Sequence, residues 1–160
     1  MLVTGDDGRP RDLHAALATA PAMVVTFFSV HCPCQAAHDA RLVALYEKYH
    51  PRGVAFVAID AEVTATPERD RDEALRRRYP FPLWTSANGS AASVFGAEAA
   101  TYTVVIDRAG HVRYAGGIDS DRSHLTDDAE PYLQDALDDV LAGRPTRTPR
   151  GKVLGCALAR

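Results

Sequence analysis

The sequence is poor in sulfur and has no long apolar run. Its three cysteines, Cys32, Cys34 and Cys156, are spread over 160 residues. That is too few for a disulfide scaffold, so a buried core must hold the fold. No apolar run is long enough to span a bilayer. The first eleven residues carry Asp6, Asp7 and two glycines rather than the basic-then-apolar order of a signal peptide. As it stands the chain reads as cytoplasmic; a chain whose export signal had been removed would read the same and would be periplasmic. A basic excess is also lacking. The net charge of -3 argues against nucleic acid or an anionic membrane as partner. The short run Arg76-Arg77-Arg78 reads as the solvated face of a helix. Repeats and low-complexity segments are missing too.

What is present suits one soluble domain with a sizeable core: 46% hydrophobic and 24% charged residues. Leu13 and Leu17, four apart, indicate a short helix over 12–20, ended by Pro21. Met23 to Val30 is apolar and rich in β-branched and aromatic residues, the pattern of a strand buried on both faces. Pro33 to Tyr49 repeats Leu42, Leu45, Tyr46 and Tyr49 at helical spacing. Val54 to Ile59 is a second buried strand. Thr66 and Pro67 supply an N-cap and a first helical residue for a helix running to about Tyr79. A short extended piece over 81–85 and a helical turn over 91–95 follow. Thr101 to Ile106 and Val112 to Ala115 form a hairpin, and Pro131 to Leu141 a last helix. The order predicts an α/β fold: a central mixed sheet, helices on both faces, and the first two long strands parallel. The domain is expected over 1–142, with 143–160 a tail that packs back on it.

Catalytic groups in open α/β sheets collect at the carboxyl ends of strands. His31-Cys32-Pro33-Cys34 lies there. Pro33 fits the first helical turn, which makes Cys32 the N-cap and puts Cys34 in that turn. The helix N-terminus, equivalent to roughly half a positive charge, then favours the thiolate form of both. A buried structural thiol fits one cysteine better than two around a proline.

The succession VVTFFSVHCPCQAAHDARLVALYEKY, GVAFVAID and YTVVIDRAGHVRYAGGID resembles the thioredoxin-like redoxin family, which includes bacterial thiol–disulfide oxidoreductases and peroxiredoxins. The ending LAGRPTRTPRGKVLGCALAR resembles bacterial redoxin-domain proteins whose tail closes on a Gly-Cys pair. The resemblance implies a thioredoxin-like fold and a thiol-dependent oxidoreductase, with Cys32 as nucleophile and Cys34 as resolving thiol. No organic cofactor is implied, since sulfur carries the electrons. The partners implied are a protein or small-molecule disulfide or thiol substrate and a separate reductant or oxidant.

Three departures stand out. The spacing is Cys-x-Cys in place of Cys-x-x-Cys, so a Cys32–Cys34 disulfide would be strained and easily reduced. Thr101 matches the position of the family's cis-proline beside the thiols, and it counts as a site residue on that ground. Of the peroxiredoxin pattern Pro-x-x-x-Thr-x-x-Cys, Val25, Ser29 and Cys32 occupy the matching positions, and no arginine stands near 101. Without that cation a thiol peroxidase, the antioxidant alternative, loses its main electrostatic partner.

A second alternative is a soft-metal protein. Cys34 and His38 share a helix face, and with Cys32 they offer ligands suited to Cu(I) or Zn(II). His38 otherwise reads as a partly exposed helix residue, and His31 as a side chain flanking the site. Asp60 and Asp107 read as turn or capping residues, and Trp84 as core. Cys156 sits in an apolar ending, Val153 to Leu158. It is expected to anchor the tail as a buried thiol, or to act as a third redox or metal sulfur. The tail is long enough to bring it to the start of the long helix.

Overall fold

The computed structural model describes residues 1–159; Arg160, the last residue of the expected tail, lies outside the described residues. A seven-stranded mixed sheet runs in the order β2-β1-β5-β4-β3-β6-β7. At its centre β3 (Ala22–Phe28) is parallel to β4 (Ala55–Asp60) and antiparallel to β6 (Thr103–Asp107). β7 (Val112–Gly116) continues β6 as a hairpin, and β5 (Leu83–Thr85) lies parallel to β4 on the other side. Every residue of β3 is buried, as a strand with helices on both faces requires. The register alternates its side chains between two cores. Val24 and Phe28 meet α2 (Pro33–Tyr49) and α5 (Tyr132–Leu141) through Leu42, Tyr49, Leu133 and Leu137. Val25 and Phe27 meet α1 (Leu13–Leu17) and α4 (Ser90–Phe95), and this second core also holds Cys32 and Cys34.

The central elements fall where the hydrophobic pattern puts them, and α2 has the expected bounds. Asp12 caps α1 through its side chain, and Thr66 caps α3 (Pro67–Arg76). Two features depart from expectation. The N-terminus forms a hairpin of β1 (Leu2–Thr4) and β2 (Pro10–Asp12), which joins the sheet through a single pair, Thr4 with Thr85. Strands of three residues are too short for an alternation to register. The basic run is not a solvated face throughout. α3 stops at Arg76, and the Arg77 side chain is buried, bonding Asp39 at 2.8 Å and Glu73 at 2.6 Å while lying over the Phe28 ring. A guanidinium enters a core when its charge is paired and its flat face covers an aromatic ring.

After α5 the chain follows β7 and then crosses the sheet's end. Ala115 and Gly117 donate backbone N–H groups to Pro149 and Lys152, and Gly151 donates to Ala115. Beyond that point Ala100 donates to Cys156 (2.8 Å), Leu158 to Glu98 (3.0 Å) and Val63 to Ala159 (2.9 Å). The last residues therefore strap the loop before β6 to the loop after β4, over the carboxyl ends of β3 and β4.

Candidate active site

Cys32 is the N-cap of α2, with extended backbone, and Pro33 is the first helical residue. Its N–H donates to the Ser29 carbonyl at 3.2 Å, a turn that fixes the corner between β3 and α2. Cys32 and Cys34 are 2% and 3% exposed, so the corner is a buried site rather than an open strand end. Opposite it Thr101 donates its N–H to the Phe27 carbonyl at 2.8 Å, and Phe27 donates to Tyr102 at 2.7 Å. These bonds dock the 101–102 segment on the end of β3. Thr101 is buried with φ at 68°, a left-handed conformation that is costly for a β-branched residue.

Gly155 fits against this segment at close range. A Cβ there would overlap the Ala100 carbonyl and sit 2.9 Å from Thr101 Oγ1. Only glycine lets the tail approach so closely. The result is that Cys156 Sγ lies 2.7 Å from Cys32 Sγ, and its backbone N–H points at the same sulfur, 3.4 Å away. The three cysteines are free thiols whose sulfurs all lie within 4.8 Å of one another.

The two touching sulfurs are electrostatically unlike. Burial works to raise the Cys32 thiol, but the contact with Cys156 and the backbone N–H groups of Gln35, Cys156 and Cys34 outweigh it, so its pKa falls below the ordinary thiol value. Burial, then the Cys32 sulfur beside it, pushes Cys156 up to about 12. Of the touching pair, Cys32 is therefore the sulfur that gives up its proton more readily.

His38 corrects the sequence reading twice. It is 2% exposed, not partly exposed, because α2 turns that face toward Asp119. Neither ring nitrogen is free for a metal: Nδ1 lies 2.7 Å from the Cys34 carbonyl and Nε2 3.0 Å from Asp119 Oδ1. Both partners are acceptors, so the doubly protonated ring is the form that satisfies both contacts. Burial opposes that charge, while the bonds to Asp119 and Cys34 outweigh it and raise the pKa of His38. Arg41 completes the group, 2.7 Å from Asp119 and 3.0 Å from Asp121.

Ser29, at the peroxiredoxin threonine position, donates its hydroxyl to the buried Glu62 at 3.0 Å. Glu62 in turn donates its N–H to Asp60 at 2.9 Å. Asp60 is more than a turn residue: it is fully buried and bonded by Arg69 at 2.5 Å. Asp107 does cap its turn, accepting from Ala109 and His111. Trp84 belongs to the same core as Cys32 and Cys34, and His31 is exposed. Glu62 and Asp119 carry no motif in the sequence; their only signal is position just past the ends of β4 and β7.

The Redoxin family model matches residues 2–132, and the chain belongs to that family. Its fold is thioredoxin-like. Among solved structures it is similar to an uncharacterized conserved protein from Geobacillus kaustophilus, with 28% identity and a TM-score of 0.89 over 100% of this chain and 88% of that one. A hypothetical protein from Sinorhizobium meliloti 1021 is 27% identical, with a TM-score of 0.87 over 99% and 89%. A peroxidoxin from Mycobacterium tuberculosis shares the fold at 20% identity and a TM-score of 0.65, covering 89% of each chain. No curated protein matches the sequence. No helix among the described residues is long and apolar enough to cross a membrane.

Proposed function

We propose that the protein is a thiol–disulfide oxidoreductase in which Cys32 is the nucleophile and Cys156, rather than Cys34, is the resolving thiol. The observation that carries this reading is the contact of Cys156 Sγ with Cys32 Sγ at 2.7 Å. Only the thiolate attacks a disulfide, and of the touching pair Cys32 is the one with the lowered pKa. Its attack forms a mixed disulfide and releases one substrate thiolate. Cys156, losing its proton, then attacks Cys32 Sγ, expels the second substrate thiolate and leaves a Cys32–Cys156 disulfide. A dithiol reductant must return that disulfide to two thiols. Cys34 shares the sulfur cluster and can take up a displaced bond, but a pairing with Cys32 across one residue carries ring strain that the long loop to Cys156 avoids. The peroxidase alternative has less support, because Ser29 spends its hydroxyl on Glu62.

The test is oxidation of the reduced protein by one equivalent of a small aromatic disulfide, followed by nonreducing peptide mapping. The expected product is a Cys32–Cys156 link, with Cys156→Ser accumulating the mixed disulfide on Cys32. A Cys32–Cys34 link formed by Cys156→Ser at the parent rate would return resolution to Cys34. Undiminished exchange by Cys32→Ser would overturn the reading altogether.

A further inference from the structure

The sulfurs of Cys32, Cys34 and Cys156 lie within 4.8 Å of one another, and among the described residues no histidine or carboxylate joins them. A donor set of three sulfurs and nothing harder is soft, and soft thiolate sets select ions such as Cu(I) and Zn(II). Zn(II) in closed protein sites takes four ligands. The fourth is missing here, since both His38 nitrogens are engaged elsewhere. Cu(I) is content with three sulfurs in a plane. We propose that the reduced protein binds one Cu(I) ion through the thiolates of Cys32, Cys34 and Cys156. This goes beyond the exchange reading and does not depend on it, since it requires reduced sulfurs but no nucleophilic attack.

The geometry permits it. Three sulfurs each about 2.3 Å from one ion stand about 4 Å apart, inside the observed bound. Cys32 and Cys156, now 2.7 Å apart, must open by roughly 1.3 Å to reach that spacing. Cys156 can supply the movement, because it is only partly buried and sits on the tail rather than in a helix. The same exposure gives the ion its way in. Binding exchanges up to three thiol protons for one monovalent ion and changes no oxidation state. The resulting negative cluster lies at the N-terminus of α2 and is met by the N–H of Cys156.

The test is an anaerobic titration of fully reduced protein against Cu(I) held by bicinchoninate, followed by X-ray absorption at the copper edge. The expected result is removal of one Cu(I) per chain from the chelator, with three sulfur scatterers around it. Cys32→Ser, Cys34→Ser and Cys156→Ser should each weaken retention on the order of tenfold or more, with circular dichroism checking that each variant is folded. The absorption measurement needs no variant. A chelator that keeps its copper, two sulfur scatterers in place of three, or parent affinity in folded Cys156→Ser would each overturn the site. So would a tightly held zinc in protein that takes up no Cu(I). Failure to bind copper by protein that still forms the Cys32–Cys156 disulfide would remove the metal site alone and leave the exchange reading standing.

Discussion

The site has two halves built in opposite ways. Cys32 and Cys34 stand at a corner between the fully buried strand β3 and the seventeen-residue helix α2, locked by a proline and by the turn bond to Ser29. Cys156 hangs on a tail with no helix or strand of its own, held by backbone bonds to Ala100, Glu98 and Val63. The half in regular structure carries the lowered thiol and the half on the strap carries the raised one. A nucleophile profits from fixed N–H donors around its sulfur. A resolving thiol must wait protonated and move, which a strap allows and a helix does not. Residues 151–159 are half-buried or exposed apart from Leu158 and lie outside helix and strand, which marks the tail as the part that opens first.

The strap should be the easier half to break. Gly155→Ala puts a methyl into the Ala100 carbonyl, so residues 155–159 must leave their groove. We expect Cys156 to alkylate faster by roughly tenfold or more, which is the factor for about 1.4 kcal/mol of lost docking. Disulfide exchange should fall to the level of Cys156→Ser. Unchanged alkylation kinetics with iodoacetamide, read by peptide mapping, would mean that the glycine is not what seats the tail.

Thr101 is the wall both halves share. Its φ of 68° cannot be met by proline, and proline would also delete the N–H bonded to Phe27. Thr101→Pro, which the family pattern suggests as a harmless restoration, should therefore cost about 3 kcal/mol or more. Thr101→Gly should stabilise the fold by about 1 kcal/mol, by removing left-handed strain. Chemical denaturation of the two variants checks both signs; a Thr101→Pro as stable as the parent would refute the backbone assignment.

The two halves also differ in how legible they are in the sequence. The corner declares itself: a continuous apolar strand, a proline at the first helical position and two cysteines around it are local signals, and β3, α2 and β4 follow from them. The strap does not. Its apolar ending says that it packs somewhere, but its target is set by backbone bonds to Ala100 and Val63, groups identical in every residue type. His38 looks partly exposed in the sequence for a related reason. Its helix face looks polar until Asp119, 81 positions away, is folded beside it. Glu62 and Asp70 give no signal, and Asp60 reads only as a turn or capping residue, because a buried carboxylate network has no spacing rule.

That network supports the fixed half from below, and its charge makes a pH test. Asp70 is buried, bonds Thr85 at 2.5 Å and faces Asp60; burial first, then the Asp60 charge, raises it to about 7 despite Thr85 and Arg69. A carboxyl raised on folding contributes stability that is fully present below its unfolded value, near 3.8, and is lost as pH rises through about 7. Asp70→Asn keeps an acceptor for Thr85 without the charge. Its stability relative to the parent should therefore improve from pH 5 to pH 8, measured by urea denaturation at each pH. A difference independent of pH would show that Asp70 is ionised throughout.

The smallest effect tests whether the fixed half is tuned from behind. His38 as an imidazolium donates to both the Cys34 carbonyl and Asp119. Its raised pKa means that this contribution is complete below the unfolded value, near 6.5, and fades as pH rises through the folded one. The pairing is partly compensated, because Arg41 still holds Asp119 when the imidazole is neutral. His38→Gln keeps one donor and loses the charge. It should flatten the decline of stability above neutrality while lowering stability at pH 6 by about 1 kcal/mol, the net worth of one ordinary hydrogen bond. Alkylation of Cys32 in the same variant separates support from tuning. The Cys32 thiol is lowered by the Cys156 sulfur and by the N–H groups of Gln35, Cys156 and Cys34, none of which His38 touches through its side chain. Its reactivity against pH should therefore keep the parent's midpoint. A shifted midpoint would mean that the charge behind α2 reaches the sulfur, and the division between a self-contained corner and a movable strap would have to be redrawn.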